Sequence, residues 1–365
     1  MRSVGVEEEF LLVDPESGAP QAVAETVLAQ AEDAHGLEKE LQQEQLEVAT
    51  RPTTTMDELF AEIRARRGAA SEQARAAGVA IAALATSPLP VDPSLSAGRR
   101  YRRVANEFGL TAQEQLTCGC HVHVGVDSDE EGVAVLDRIR PWLATLTALS
   151  ANSPFWQGHE SGYSSYRSLV WGRWPSAGPV ETFGSPERYH AQVTAMLATD
   201  TLLDEGMLYF DARLSHRYPT VEVRVADVCL DVADAVLVAA LARALVETEA
   251  RAWRAGEPPS PATVGVLRLA SWRAAKSGVQ GQLVHPLTWK PKPAEAVCEV
   301  LVEHVREALA DTGDLAMVQQ AMGDLLERGG GAGTQREILA GTGDLRSVVA
   351  HAAARTLAPE GDVKG

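Results

Sequence analysis

The chain opens on an apolar stretch interrupted by acid. Val4–Val13 is rich in strand formers, holds Glu7, Glu8 and Glu9 in its middle, and ends at a turn spelled Asp14, Pro15, Glu16, Ser17, Gly18. Residues 42–49 alternate: Leu46 and Val48 share one face, Gln45, Glu47 and Ala49 the other, and Pro52 stops the pattern. Thr55 followed by Glu58 forms a capping box, so a helix is expected from there to about Ala77. The apolar run 78–86 fits a buried strand or a continued helix equally well. Residues 116–126 give a third strand, and 129–151 a helix kinked at Pro141.

Residues 152–179 are long, aromatic and without a clear period. Ser185 before Pro186 starts another helix. Two strand-like runs within 207–227 are separated by His216, Arg217, Tyr218 and Pro219. From Asp231 to about Trp253 the pattern predicts a strongly amphipathic helix. The segment GEPPSP (256–261) reads as a linker, followed by a mostly helical portion, 262–358, with a glycine break at 329–331. Residues 359–365 read as a disordered tail. Strands first and helices after them indicate an α+β fold, organised as a single domain over 1–358.

Composition narrows the function classes. Among 365 residues, 33 Lys and Arg face 50 Asp and Glu, a net charge of −17. That balance repels phosphate backbones and disfavours nucleic-acid binding. The longest apolar runs, 76–85 and 232–246, are shorter than the roughly 20 residues of a membrane span. Four cysteines make no disulfide framework, and the first residues show no secretory pattern, so a cytoplasmic protein with reduced thiols is expected.

Five segments hold the candidate chemistry. In a strand, Glu7 and Glu9 point to one face, about 7 Å apart, and Glu8 to the other. Two carboxylates so placed call for a cation, unless they only decorate a solvated edge. Glu47, beside Gln45, is a further oxygen ligand or a half-exposed strand residue. Cys118, Cys120, His121 and His123 suggest zinc, but alternation sends the cysteines to the core and the histidines to a polar face, so a four-ligand site is disfavoured. Glu222 and Arg224 share a face, either as a plain ion pair or with Glu222 on a cation and Arg224 on an anion. The 152–175 loop holds six aromatics, Tyr166 among them, together with Arg173 and with Arg167, a candidate anion clamp. Arg273 and Lys276, at i and i+3, read as a solvated helix face or as a phosphate contact.

The ordered set VGVEEEF, LEVAT, CHVHVG, SYRSLVWGRWP and VEVRVAD resembles the glutamate–cysteine ligase type 2 family of carboxylate–amine ligases, from residue 4 to about residue 350. The resemblance implies a glutamine-synthetase-like catalytic fold: a curved, mostly antiparallel sheet with helices packed behind it. It implies ATP-dependent amide formation through an acyl phosphate, with glutamate and cysteine as the nominal pair and Mg2+ held by strand carboxylates. On these motifs Glu7, Glu9, Glu47 and Glu222 map to metal positions, with His121 in a metal or phosphate role. Arg224 maps to the transferred phosphoryl group and Arg167 to the carboxylate substrate. Glu44, His123, Tyr166, Arg173, Arg273 and Lys276 are weaker substrate or nucleotide contacts. The stretch from Gly329 to Arg336 is less basic than the resemblance leads one to expect, so Arg336 is given no nucleotide role. The implied partners are a small carboxylate, a small amine and a second copy of the chain. Alternatives are a ligase joining another acid and amine in secondary metabolism, a silent nucleotide-binding homologue, or a metal-dependent hydrolase using His121 and His123.

Overall fold

The computed structural model describes residues 1–30 and 36–357; the tail 359–365 lies outside them. The acidic opening segment forms the central strand of the main sheet. Strands are labelled β1 (Val4–Val13), β2 (Leu37–Lys39), β3 (Gln45–Ala49), β4 (Ala80–Ala82), β5 (Gly119–Gly125), β6 (Ala212–Leu214) and β7 (Thr220–Asp227). Their order is β2-β3-β1-β5-β7-β6, and β4 pairs with the far end of β1. Every pairing in this sheet is antiparallel. The α+β, antiparallel expectation therefore holds, and the ambiguous 78–86 run contains a strand.

The local signals explain most boundaries. The Thr55 side chain accepts the Glu58 amide, capping the Met56–Ala76 helix. Ser185 caps Pro186–Leu197 in the same way. The chain breaks around Pro141 into two helices, Asp129–Ile139 and Leu143–Ser150. The long 152–179 segment contains a short helix, Tyr166–Trp171, capped by Ser165, that the aromatic pattern did not announce. One irregularity has large consequences. Between Cys120 and Val122 of β5, β7 advances from Ala226 to Val223, so one extra residue is accommodated on β7.

Behind the sheet, Val4, Val6, Val122, Val124, Val221 and Val223 pack against the Val232–Arg254 helix and against Leu59 and Ile63. A second cluster surrounds the far end of β1, where Phe10–Val13 is buried on both faces. This explains the unbroken apolar run there. Cys118 and Cys120 lie in these cores, as the alternation predicts, and all four cysteines are free and buried.

The Val232–Arg254 helix corrects one expectation. It is not amphipathic in place but buried on nearly every side from Val232 to Val246. Its polar positions, which resemble a solvent stripe in the sequence, meet partners from the C-terminal helices. Asp234 pairs with Arg328, Arg243 with Asp314, and Glu249 with His304. No helix among the described residues is long and apolar enough to cross a membrane.

Glu8 points toward the helices, where Arg67 meets it. The guanidinium donates to both carboxylate oxygens and also to the Cys229 and Leu230 carbonyls. Arg67 and Glu8 are each 1% exposed. Removing one partner of such a pair strands a charge in the core. Arg67→Met is expected to lower the unfolding free energy by about 3–5 kcal/mol, and adding Glu8→Leu should recover most of it. Urea unfolding followed by circular dichroism measures both; equal stability of Arg67→Met and the parent would contradict the assignment.

Candidate functional site

With Glu8 committed to the core, Glu7 and Glu9 project from the opposite, polar face of β1. Register places Glu7 opposite His121 of β5 and Glu9 opposite Glu47 of β3. His123 stands opposite Glu222 of β7, which in turn lies opposite Arg213 of β6. The side chains meet in three overlapping groups: Glu7, His123, Glu222; Glu7, Glu47, His121; and Glu9, Glu40, Glu47. Within each group, one ligand atom per residue lies within 4.8 Å of the others. The structure thus brings together Glu7, Glu9, Glu47, His121, His123 and Glu222, and adds Glu40, just beyond β2.

The arginines arrive from two directions. Arg224 is on β7 itself, bonded to Glu222, which also receives Arg213 (Nε to Oε2, 2.7 Å; Nη2 to Oε1, 3.2 Å). The plain ion pair foreseen for Glu222 and Arg224 is present, widened to three residues. Arg167 comes from the Tyr166–Trp171 helix, and Asp227 fixes that helix in place. The extra residue on β7 turns Asp227 toward the polar face. There its carboxylate accepts from the Asn152 amide (2.9 Å) and from the hydroxyls of Ser153 (2.7 Å) and Ser165 (2.8 Å). Ser153 Oγ in turn accepts the Arg167 amide at 3.0 Å. The Arg167 guanidinium then lies directly over Gly119, where a Cβ would collide with it. Glu9 accepts the Gly119 amide at 2.7 Å beside it.

Electrostatics set the state of each group. Burial pushes Glu7 upward, but hydrogen bonds from His121 and His123 hold its carboxyl well below the usual range. Glu222 is likewise raised by burial and pulled far lower by Arg224 and Arg213. Burial and the nearby Arg224 lower His121 to about 4, leaving a neutral imidazole with a free lone pair near neutrality. At the other end, burial and then the charge of Glu40 raise Glu47, while burial and Glu9 raise Glu40 to about 7. Two carboxylates at such separations repel by about 3 kcal/mol at an effective dielectric near 20.

Six carboxylates (Glu7, Glu9, Glu40, Glu47, Glu222, Asp227) face three guanidinium groups (Arg167, Arg213, Arg224). Fully ionised, as a bound cation would hold them, they leave three negative charges over. Among the described residues, nothing hydrogen-bonds the buried Nε2 of His121 or the buried Nε atoms of Arg167 and Arg224, and His123 Nε2 faces only Glu7 Oε1, at 3.3 Å. A surplus of hard oxygen donors with free imidazole nitrogens fits divalent cations, and unpaired guanidinium N–H groups fit an anion between them.

Other sequence candidates lie elsewhere. Glu44 is turned away and accepts the Ser94 amide with both oxygens (3.0 Å each). Tyr166 packs between Trp156 and Tyr163. Arg173 pairs with Glu114 over the Trp156 ring. Lys276 donates to the Gly162 carbonyl above Tyr163, and Arg273 is exposed beside Trp272. The contacts of Tyr166, Arg173 and Lys276 brace the 152–175 loop. Arg336, given no nucleotide role, pairs with Glu160 and caps the Tyr163 carbonyl in the same loop. Of the residues the sequence reading missed, Asp227 sat at the end of the VEVRVAD motif and was legible there. Glu40 and Arg213 carried no local signal.

The raised pair makes a pH prediction. An acid whose folded value lies above its unfolded one leaves stability intact below the ordinary 4.5, and that stability is lost as pH rises through the folded value. Glu7 and Glu222, shifted the other way, act only in more acid solution. The chelator-treated protein should therefore lose melting temperature from about pH 4.5 to pH 7. Millimolar Mg2+ should flatten the profile in scanning fluorimetry. Identical profiles with and without the metal would contradict the cation assignment.

Residues 3–351 match the model of the family described as Glutamate-cysteine ligase family 2. The chain is 61% identical over 360 residues to a Streptomyces avermitilis protein with the provisional name glutamate–cysteine ligase 2-1, covering 98% of this chain and 99% of that one. It is 59% identical over 362 residues to a Streptomyces coelicolor protein provisionally named glutamate–cysteine ligase 2, covering 98% and 100%. Its fold is similar to that of a glutamate–cysteine ligase from Francisella tularensis solved in complex with AMP (TM-score 0.71, 14% identity, 98% of this chain and 89% of that one). It is also similar to that of a bifunctional glutathione synthetase from Pasteurella multocida (TM-score 0.70, 17% identity, 98% and 52%). The chain belongs to the glutamate–cysteine ligase family 2, and the class of enzyme that the motifs implied, a ligase forming a carbon–nitrogen bond, stands with that family.

Proposed function

We propose that this chain couples ATP cleavage to amide formation between a small carboxylate and a small amine, nominally the γ-carboxyl of glutamate and the amino group of cysteine. One observation supports this most: a row of carboxylates and imidazoles ends on two buried arginines that have N–H groups to spare. A hydrolase acting on a neutral substrate has no use for those arginines. Phosphoryl transfer from ATP to a carboxylate needs both cations and guanidinium groups, because both reactants are anions.

The chemistry balances in two steps. A carboxylate oxygen attacks the γ-phosphorus of ATP, ADP leaves, and an acyl phosphate forms. The amine nitrogen then attacks the acyl carbon, the carbon–oxygen bond to phosphate breaks, and the ammonium proton passes to a base. Glu7, Glu9, Glu40, Glu47, Glu222, His121 and His123 would hold Mg2+, which when bound neutralises phosphate oxygens. Arg224, fixed by Glu222, directs its free N–H edge toward the migrating phosphoryl group. Arg167, lying across Gly119 between Glu9 and Asp227, orients the acceptor carboxylate. The acid-to-phosphate geometry thus rests on strand positions and on one capped helix rather than on a mobile loop.

A cavity of about 950 Å³ opens at the rim of the sheet where Glu7 and His123 end the row. It is large enough for a nucleotide whose phosphates reach the metal groups, and it supports ATP entry from that end. Incubation with ATP, Mg2+ and pooled acids and amines should yield a product mass equal to acid plus amine minus water. Glu9→Gln and Glu7→Gln should each lower kcat/KM at least 100-fold with unchanged circular dichroism. Full turnover in either variant, or ATP turnover without a condensed product, would overturn the reading.

A further inference from the structure

A smaller cavity, of about 240 Å³, lies at the β6–β7 edge of the sheet, next to the two arginines. Its walls include Arg167, Arg224, Trp171, Trp272, Arg268 and Asp211. It is smaller than the roughly 300–1,000 Å³ of a drug-sized site, so it suits a small ligand or one end of a longer one. Asp211 precedes Arg213 by two residues and so shares the polar face with it. Its backbone is locked in place: its amide donates to the Gly178 carbonyl at 3.1 Å, and its carbonyl accepts the Arg224 amide at 2.9 Å.

The Asp211 carboxylate is a different matter. Among the described residues, no hydrogen bond or ion pair reaches it. The charge that acts on it is Arg268, whose side chain is exposed and screened by solvent. Burial pushes the Asp211 carboxyl up to about 7, with the charge of Arg268 pulling against it. An unpaired carboxylate in a protein wall is costly, and a cationic ligand removes that cost. Trp171 is already covered by Arg167 and Arg224, at 5.5 and 6.0 Å from its ring. Trp272 is 42% exposed and lines the same cavity; Arg273 lies 5.5 Å from its ring, and the part of the indole that lines the cavity offers a wall to a cation's carbon stem. Cationic arginines on the inner side and a lone carboxylate on the outer side make a dipolar pocket.

We propose that this cavity is an ammonium subsite, in which Asp211 holds a primary ammonium group against Trp272 by charge-assisted hydrogen bonds. The proposal rests on the ligase reading for its meaning. The ammonium belongs either to the attacking amine or to an amino-acid donor whose carboxylate lies on Arg167. In both cases Asp211 sets specificity for a charged nitrogen and is the residue that touches it.

The test is ligand-observed NMR on the full chain with n-butylamine, L-glutamate and glutarate, at about pH 8 so that Asp211 is ionised. Asp211→Asn is expected to weaken the ammonium ligand at least tenfold and to leave MgATP affinity, read by calorimetry, unchanged. Loss of n-butylamine binding identifies the attacking amine. Loss of the preference for L-glutamate over glutarate identifies the donor's amino group. Unchanged binding of both in Asp211→Asn, or no binding of either ammonium compound to the parent, overturns the proposal. If Asp211→Asn does not fold, Trp272→Ala replaces it, with at least a threefold loss expected and no loss overturning the idea. A chain that forms no product from any acid and amine but still binds ammonium through Asp211 would remove the ligase reading and keep this one.

Discussion

Like-charge repulsion on one sheet face is the constraint around which this molecule is built. Six carboxylates from four separate segments are gathered on one sheet face, and three guanidinium groups offset only part of their charge. Such a face is tolerable because the opposite face of the same strands is packed hard against the Val232–Arg254 helix. The apolar side holds the strands in register, and register holds the acids together. The stabilising and the repelling interactions are therefore carried by alternate residues of the same strands.

The three consecutive glutamates show how finely that division is drawn. Glu8 is a structural residue, enclosed with Arg67 among backbone carbonyls. Its two neighbours belong to the site. Opposite faces of one strand thus give identical side chains opposite environments. Arg67 also ties the Met56–Ala76 helix to the carbonyls that follow β7, so the same pair that satisfies Glu8 braces the strand carrying Glu222 and Arg224.

A chain of small polar contacts carries the site from the sheet to its cover. One extra residue on β7 redirects Asp227, Asp227 gathers Asn152, Ser153 and Ser165, and these set the helix that delivers Arg167. Gly119 leaves the space that Arg167 fills. The Gln335 side chain meets the Asn152 carbonyl, linking the glycine-rich helix near the C-terminus to the same network. The aromatic loop is thus ordered by buried hydrogen bonds at its two roots, with ring packing filling the span between them.

Alternation and capping rules were enough, from the sequence, to assign Glu7, Glu9, Glu47, His121, Glu222 and Arg224 to one kind of face, because a strand's period is a local property. The helix caps at Thr55, Ser185 and the break at Pro141 were legible for the same reason. Three things were decided only by tertiary structure. Glu40 and Arg213 join the site through strand order, which no local pattern encodes. The charged positions of the Val232–Arg254 helix are buried because distant helices bring their counter-charges, so a pattern that implied solvent was answered by ion pairs. Glu44 left the site because the Ser94 amide occupies both its oxygens, Lys276 because it anchors the aromatic loop at Gly162, and Arg273 because its helix turns it to solvent.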